Sequence, residues 1–302
     1  MSDPITQPIL LKFWGVRGSV PAPGPSTASI GGNTACVELR SGDDILILDA
    51  GTGIRSLGLV LDEEFKGAEL DLTLLLSHTH WDHIQGLPFF QPAYRAQTHL
   101  RILGCKPPVK SLRDTLFAQM GSDNFPVSMA DMPANITIAE INAPVFSIGR
   151  VQVLSGRVNH PGAALGYRLN TGRGTIVYVP DCEPVGWNAA SGDARPVTPG
   201  PLFNATGAGL LEFIRGADVL IFDGQYDRRE YDGRIGWGHA CVDDTVELAM
   251  AAGVQQLFIF HHDPEHDDER VLQMLSDARK KTAEAGNPLK IEIAREGLEV
   301  LL

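Results

Sequence analysis

Basic residues are in short supply in this 302-residue chain: 25 Lys and Arg stand against 37 Asp and Glu, a formal net charge of −12. That balance opposes sequence-independent attraction to a nucleic acid polyanion and leaves a small or locally steered substrate as the better fit. Cysteine is also sparse. Cys36, Cys105, Cys182 and Cys241 lie far apart and never form a Cys-x-x-Cys pair, which argues against a zinc ribbon or a dense disulfide framework and predicts reduced, mostly buried thiols. Eighteen consecutive apolar residues occur nowhere, and the first eight residues hold no cationic stretch leading into an apolar run. No membrane span or secretory leader is expected, and the cytoplasm is the default compartment.

What the chain does have is apolar content, 43% of its residues, enough for a large core. Strand-like runs at Ile9–Trp14, Ala35–Leu39, Ile45–Leu48 and Leu72–Leu76 are bounded by turn-formers, and the last two are apolar at every position, as in strands buried on both faces. The second half repeats the pattern at Val151–Leu154, Leu165–Leu169, Thr175–Val179, Val219–Phe222 and Leu257–Phe260. Helical spacing marks Cys241–Ala252, stopped by Gly253, and an amphipathic surface helix over Glu269–Ala285. The fold class is therefore mixed α and β. Gly and Pro gather over Gly15–Gly32 and Val185–Thr206, and loops this long in a compact domain usually shape a binding site. Neither divides the chain, so residues 1–302 are expected to form one domain with a loop insert at about 185–206.

Chemistry concentrates in Ser77-His78-Thr79-His80-Trp81-Asp82-His83. The apolar strand before it delivers His78, His80, Asp82 and His83 within six positions, in a chain with nine histidines. Imidazoles and a carboxylate so placed suit zinc or manganese. One loop cannot complete two metal shells, and further candidates stand where other strands emerge: His160 after Val151–Val158, Asp181 after Thr175–Pro180, and His261 after Leu257–Phe260. Because neighbouring strand residues point to opposite faces, only one of His261 and His262 can face a shared centre. His261 is favoured and His262 is the alternative. His266, amid Asp263, Glu265, Asp267 and Asp268, reads instead as part of the N-terminal turn of the next helix.

The His-x-His-x-Asp-His run formed by His78, His80, Asp82 and His83 resembles the signature of the metallo-β-lactamase superfamily, and the resemblance extends over nearly the whole chain. It implies a four-layer αββα sandwich in which His78, His80 and His160 hold one divalent metal, Asp82, His83 and His261 hold the other, and Asp181 bridges them. Zinc is the first expectation, with manganese or iron as alternatives, and a hydroxide between metals about 3.5–4 Å apart is the usual nucleophile. The oxygen-reducing diiron relatives have Glu where His80 stands. A non-catalytic, metal-stabilised binding module is disfavoured by the intact ligand set.

The flanks point to the phosphodiesterase-like branch. Gly236-Trp237-Gly238-His239-Ala240-Cys241 resembles the Gly-His-Ser-Thr helix start of the tRNA 3′-processing ribonucleases, although Ala240-Cys241 replaces Ser-Thr. The resemblance implies that His239 contacts phosphate and protonates the leaving oxygen, a role suited to a helix N-terminus. Asp82 is expected to orient the attacking water. The segments Phe13–Pro21 and Gly31–Cys36 are similar to the same branch, and backbone amides near Asn33 are expected to line the substrate phosphate. His160–Arg168 and Tyr178–Glu183 resemble a bacterial subgroup that includes cyclic-nucleotide phosphodiesterases of the anti-Pycsar type.

These likenesses imply a small phosphodiester as substrate and suggest a homodimer. No basic arm for gripping tRNA is visible, since Arg195 is the only basic residue in 185–206, so a tRNA 3′-end endoribonuclease is the lesser reading. Gln225, Tyr226 and Trp237 are candidates for contacting a base. The rival on the same fold is a lactonase or thioesterase type of hydrolase. His239 discriminates: were it remote from the metals, a carbonyl substrate would be the better expectation.

Overall fold

The computed structural model describes residues 8–121, 123, 125–185 and 203–302; most of the expected loop insert, 186–202, lies outside the described residues. One sheet contains β1 (Ile9–Gly15), β2 (Cys36–Ser41), β3 (Asp44–Leu48), β4 (Leu70–Leu76), β5 (Thr98–Gly104) and β6 (Asn135–Glu140). The second contains β7 (Val145–Ile148), β8 (Val151–Arg157), β9 (Leu165–Asn170), β10 (Thr175–Val179), β11 (Phe203–Asn204), β12 (Val219–Asp223), β13 (Gln256–Phe260) and β14 (Lys290–Ile293), and β15 (Glu299–Leu301) returns to pair with β1. The helices are α1 (Gly53–Glu64), α2 (Trp81–Ile84), α3 (Leu112–Gln119), α4 (Ala208–Ile214), α5 (Arg228–Tyr231), α6 (Val242–Ala251) and α7 (Asp268–Glu284).

The layering follows from strand alternation. In β3, Leu46 and Leu48 join Leu11, Phe13 and Leu75 in a core shared with Val153, Tyr167 and Val177 of the second sheet. Ile45 and Ile47, on the opposite face, pack with Leu72 and Leu74 against Ile54, Leu57 and Leu61 of α1. A strand wedged between a sheet and a helix must be apolar on both faces, which explains the unbroken run. On the far side Leu210, Phe213, Val246, Ala249, Val271 and Leu275, from α4, α6 and α7, cover the second sheet. The result is the expected αββα order. Helix α6 ends at Ala251 and is capped by Ala252, with Gly253 taking φ +65°, the left-handed conformation that favours glycine after a helix.

Strands β5, β6, β7, β11, β14 and β15 were not marked by the sequence pattern. Strand β6 shows why: its residues alternate between exposed and half-buried, so no apolar run betrays it. Strands β3 and β4 run parallel in one sheet, and β10, β12 and β13 run parallel in the other. Parallel pairing brings strand exits together, the usual place for a ligand in an open α/β sheet. No helix among the described residues is long and apolar enough to cross a membrane, and all four cysteines are free and buried.

Candidate metal centre

Six strand exits supply the centre: Asp49 after β3, Ser77 and His78 after β4, His160 after β8, Asp181 after β10, Asp223 closing β12, and His261 after β13. His78, His80 and His160 present ring nitrogens to one point, and Asp82, His83, Asp181 and His261 converge on a second; within each group the donor atoms lie within 4.8 Å of one another. Asp181 spans the two. Its Oδ1 is 3.1 Å from His83 Nε2 and 3.3 Å from His261 Nε2, whereas its Oδ2 is 3.7 Å from His78 Nε2 and 3.8 Å from His160 Nε2. Asp82 Oδ2 lies 3.1 Å from His261 Nε2 and 3.3 Å from His83 Nε2.

Hydrogen bonds on the outer side of the rings set the tautomers. His83 Nδ1–H donates to Asp49 Oδ2 at 2.8 Å, and His160 Nδ1–H donates to the Gly238 carbonyl at 2.9 Å. Ser77 Oγ gives its proton to Asp49, so it accepts from His78 Nδ1–H at 3.0 Å. Gln225 Nε2 donates to Asp263, which leaves Gln225 Oε1 to accept from His261 Nδ1–H at 3.1 Å. Each outer bond frees an Nε2 lone pair to face inward, the arrangement that orients metal-binding imidazoles.

Two divalent ions fit this donor set. His78 Nε2, His83 Nε2 and Asp181 Oδ1 are buried without a hydrogen-bond partner, and such orphaned groups are costly. His80 Nδ1 and His160 Nε2 approach to 3.1 Å, close enough for one cation to take both lone pairs in place of the proton they otherwise share. The same convergence moves the titrations. Burial holds His83 down, but Asp181, Asp82 and Asp49 outweigh it and raise its pKa well above the usual histidine value. His78 goes the other way: burial, reinforced by the charge of His83, holds it well below. Burial also lowers His80 and His160. Asp82 and Asp181 stay ionised because neighbouring histidines overcome the desolvation that would protonate them.

Backbone strain is concentrated here. Among the described residues the only non-glycines in the left-handed region are Ser19, Asp49 and His261, at φ 63°, 60° and 61°, each costing on the order of 1–3 kcal/mol. All three serve the centre. Ser19 donates its backbone N–H to Asp82 Oδ2 at 2.7 Å, Asp49 orients His83, and His261 is turned inward. Gly18 lies so close that a Cβ there would enter the His261 ring. The guanidinium of Arg17, fully buried, donates to the carbonyls of Gly31, Asp263 and His266 and so joins the loops on either side.

The structure chooses between the paired histidines. His261 enters the centre, whereas His262 donates from Nε2 to the Ala294 carbonyl at 2.9 Å, and burial brings its pKa down to about 3. His266 is also outside the centre, paired with Glu230 at 2.8 Å. One expectation needs correction. Asn33 donates its backbone N–H and its Nδ2 to Glu296, at 2.6 and 2.9 Å, and the next amide, of Thr34, goes to Thr52 Oγ1. These donors are already engaged and do not line a phosphate site.

His239 stands inside the centre. Its ring stacks on His261 at 4.9 Å with planes 16° apart, and Nδ1 lies 3.9 Å from Asp181 Oδ2. Nδ1–H donates to Asp223 Oδ2 at 2.9 Å. Burial pushes the imidazolium toward deprotonation, but Asp223, Asp181 and Asp82 overcome it and raise the pKa to about 9. Its loop is anchored by Glu183, a buried carboxylate that accepts the amides of Gly236 and Gly238 and the hydroxyl of Tyr231. An open cleft of about 340 Å³ begins at His239, Ser19 and Gln225 and runs outward past Tyr226 and Trp237. Asp49, Asp223, Gln225 and Glu183 were not singled out from the sequence as site residues, apart from Gln225 as a base contact. For Asp49 and Asp223 the missed signal was a carboxylate closing an all-apolar strand.

Comparison with known proteins agrees with this geometry. The profile described as "Beta-lactamase superfamily domain" matches residues 45–262. A ribonuclease BN from Salmonella paratyphi B is 23% identical over 275 residues, covering 78% of this chain and 84% of that protein. Among solved structures, the metallo-beta-lactamase fold protein YhfI from Bacillus subtilis superposes with a TM-score of 0.68 at 19% identity, covering 98% of this chain and 100% of that one. A diphosphatase from the PhnP family gives 0.67 at 16% identity, covering 97% of each chain.

Proposed function

The chain belongs to the beta-lactamase superfamily and is a metal-dependent hydrolase of that fold; from that premise we propose that it is a dinuclear phosphodiesterase acting on a cyclic nucleotide or another small phosphodiester. The observation that carries this reading is His239, an imidazole held through Nδ1 by the buried Asp223, within 4 Å of the shared carboxylate and facing an open cleft. A proton donor fixed beside the donor cluster complements a phosphoryl group and its leaving oxygen. It would contribute less to a neutral lactone or thioester.

His78, His80 and His160 would hold one ion, Asp82, His83 and His261 the other, and Asp181 both. When bound, two divalent ions supply Lewis acidity toward phosphoryl oxygens and lower the pKa of water. The rest falls to the chain. Asp82, held by the Ser19 amide, orients the attacking water by accepting its hydrogen bond and takes up the proton the water gives up as it attacks. As the new phosphorus–oxygen bond forms, the bond to the leaving oxygen breaks, and His239 donates its proton there while Asp223 stabilises the cation beforehand. The names of a ribonuclease and a diphosphatase among the relatives fit phosphoester chemistry. The net charge of −12 favours a small ester over a nucleic acid polymer.

The test is turnover of bis-p-nitrophenyl phosphate and of cyclic nucleotides by zinc- or manganese-loaded protein, beside its His239→Ala variant. Loss of about 10²–10⁴ in kcat on the cyclic nucleotides is expected in the variant for a missing general acid, with a smaller loss on bis-p-nitrophenyl phosphate, whose nitrophenolate leaves without a proton. Hydrolysis of a lactone or thioester panel with no phosphodiester turnover would overturn the proposal.

A further inference from the structure

The cleft beside His239 has a composition that a phosphate site alone does not explain. Its inner end is buried, with Gln225 and Tyr226 2–3% exposed, while its outer end presents Trp237 at 61% exposure and the free side chain of Glu265. The Glu265 carboxylate has no hydrogen bond or ion pair among the described residues. Arg234, on the same cleft, holds its guanidinium 4.8 Å over the Tyr226 ring and spends one N–H on the Glu230 carbonyl, which leaves further donors for a ligand.

A carboxylate in the cleft disfavours a second phosphate and favours a ligand that brings N–H donors. An exposed indole offers a stacking face for a base. A carboxylate accepts paired N–H donors, and a guanidinium donates to paired acceptors. Guanine is the common base that satisfies both: its N1–H and 2-amino group form a donor pair, and O6 with N7 forms an acceptor pair. Adenine lacks the donor pair. Building on the phosphodiesterase reading of the adjacent centre, we propose that this cleft is a base pocket selecting guanine, with Trp237 as the stacking platform, Glu265 reading the N1–H and 2-amino edge, and Arg234 reading O6 and N7.

The experiment compares guanosine and adenosine 3′,5′-cyclic monophosphates as substrates of the metal-loaded protein and titrates GMP and AMP calorimetrically, with bis-p-nitrophenyl phosphate as a base-free control. The pocket predicts kcat/KM and affinity at least about ten-fold in favour of guanine, the size expected for one bidentate contact. Glu265→Ala should lower that ratio, and Trp237→Ala should weaken GMP and AMP together. Equal handling of the two bases, with bis-p-nitrophenyl phosphate turned over, overturns the base pocket and leaves the phosphodiesterase reading standing. Preferential GMP binding with no phosphodiester turnover does the reverse.

Discussion

Asp223→Asn removes the charge that keeps His239 protonated while preserving the side-chain shape. The pair is 2.9 Å apart with Asp223 fully buried and His239 12% exposed, so solvent screens it little. Burial works against the imidazolium, and Asp223 is the first of the charges that overcome it to bring the pKa from 6.5 to about 9. Removing an opposite charge at this range lowers a pKa by about 1–3. If His239 delivers the leaving-group proton, the alkaline fall of kcat lies at lower pH in the variant than in the parent, by about that amount. A folded pKa above the unfolded value stabilises the fold fully below about pH 6.5 and loses that contribution as pH rises through about 9. The movement from 6.5 to about 9 is worth about 3 kcal/mol in metal-free protein. Profiles of kcat from pH 6 to 10, with urea unfolding of metal-stripped protein at both ends, read both effects. An alkaline limb unmoved by Asp223→Asn would refute the reasoning.

Other substitutions probe the rest of the centre. His261→Ala should remove about one bound metal per chain, whereas His262→Ala should keep both metals and lower stability by on the order of 1–3 kcal/mol through the bond lost to Ala294; metal analysis with denaturant melts separates the two. Asp49→Asn weakens the acceptor behind His83 and should lower affinity for the second metal by about 10–100-fold, read by competition with a chelating dye. Gly18→Ala places a methyl into the His261 ring and should reduce metal content and activity together, with its melting transition showing whether the fold survives.

The legible part of the centre was the part written contiguously. His78, His80, Asp82 and His83 occupy one loop behind an apolar strand, and His160, Asp181 and His261 each follow a strand, so periodicity alone marked their positions. The supporting residues are legible only through distance. Asp49 meets His83 across 34 positions and Asp223 meets His239 across 16, whereas Gln225 reaches His261 across 36. The glycine-rich stretch around Asn33 misled because Glu296, 263 residues away, takes the donors that a phosphate was expected to use. Alternation alone left His261 and His262 open. The left-handed turn at His261 settles which ring faces inward, and that strain is a tertiary property. Strand β6 was lost for the opposite reason, since a half-exposed edge strand carries no distinctive pattern.

The claim at the centre of this reading is that seven side chains hold two catalytic ions. Stepwise addition of zinc or manganese to metal-stripped protein, with bound metal and bis-p-nitrophenyl phosphate hydrolysis measured on the same samples, tests it most directly. Two equivalents bound per chain, with hydrolysis appearing as the sites fill, is the predicted result; fewer than two bound, or two bound with no hydrolysis by either metal, would contradict it.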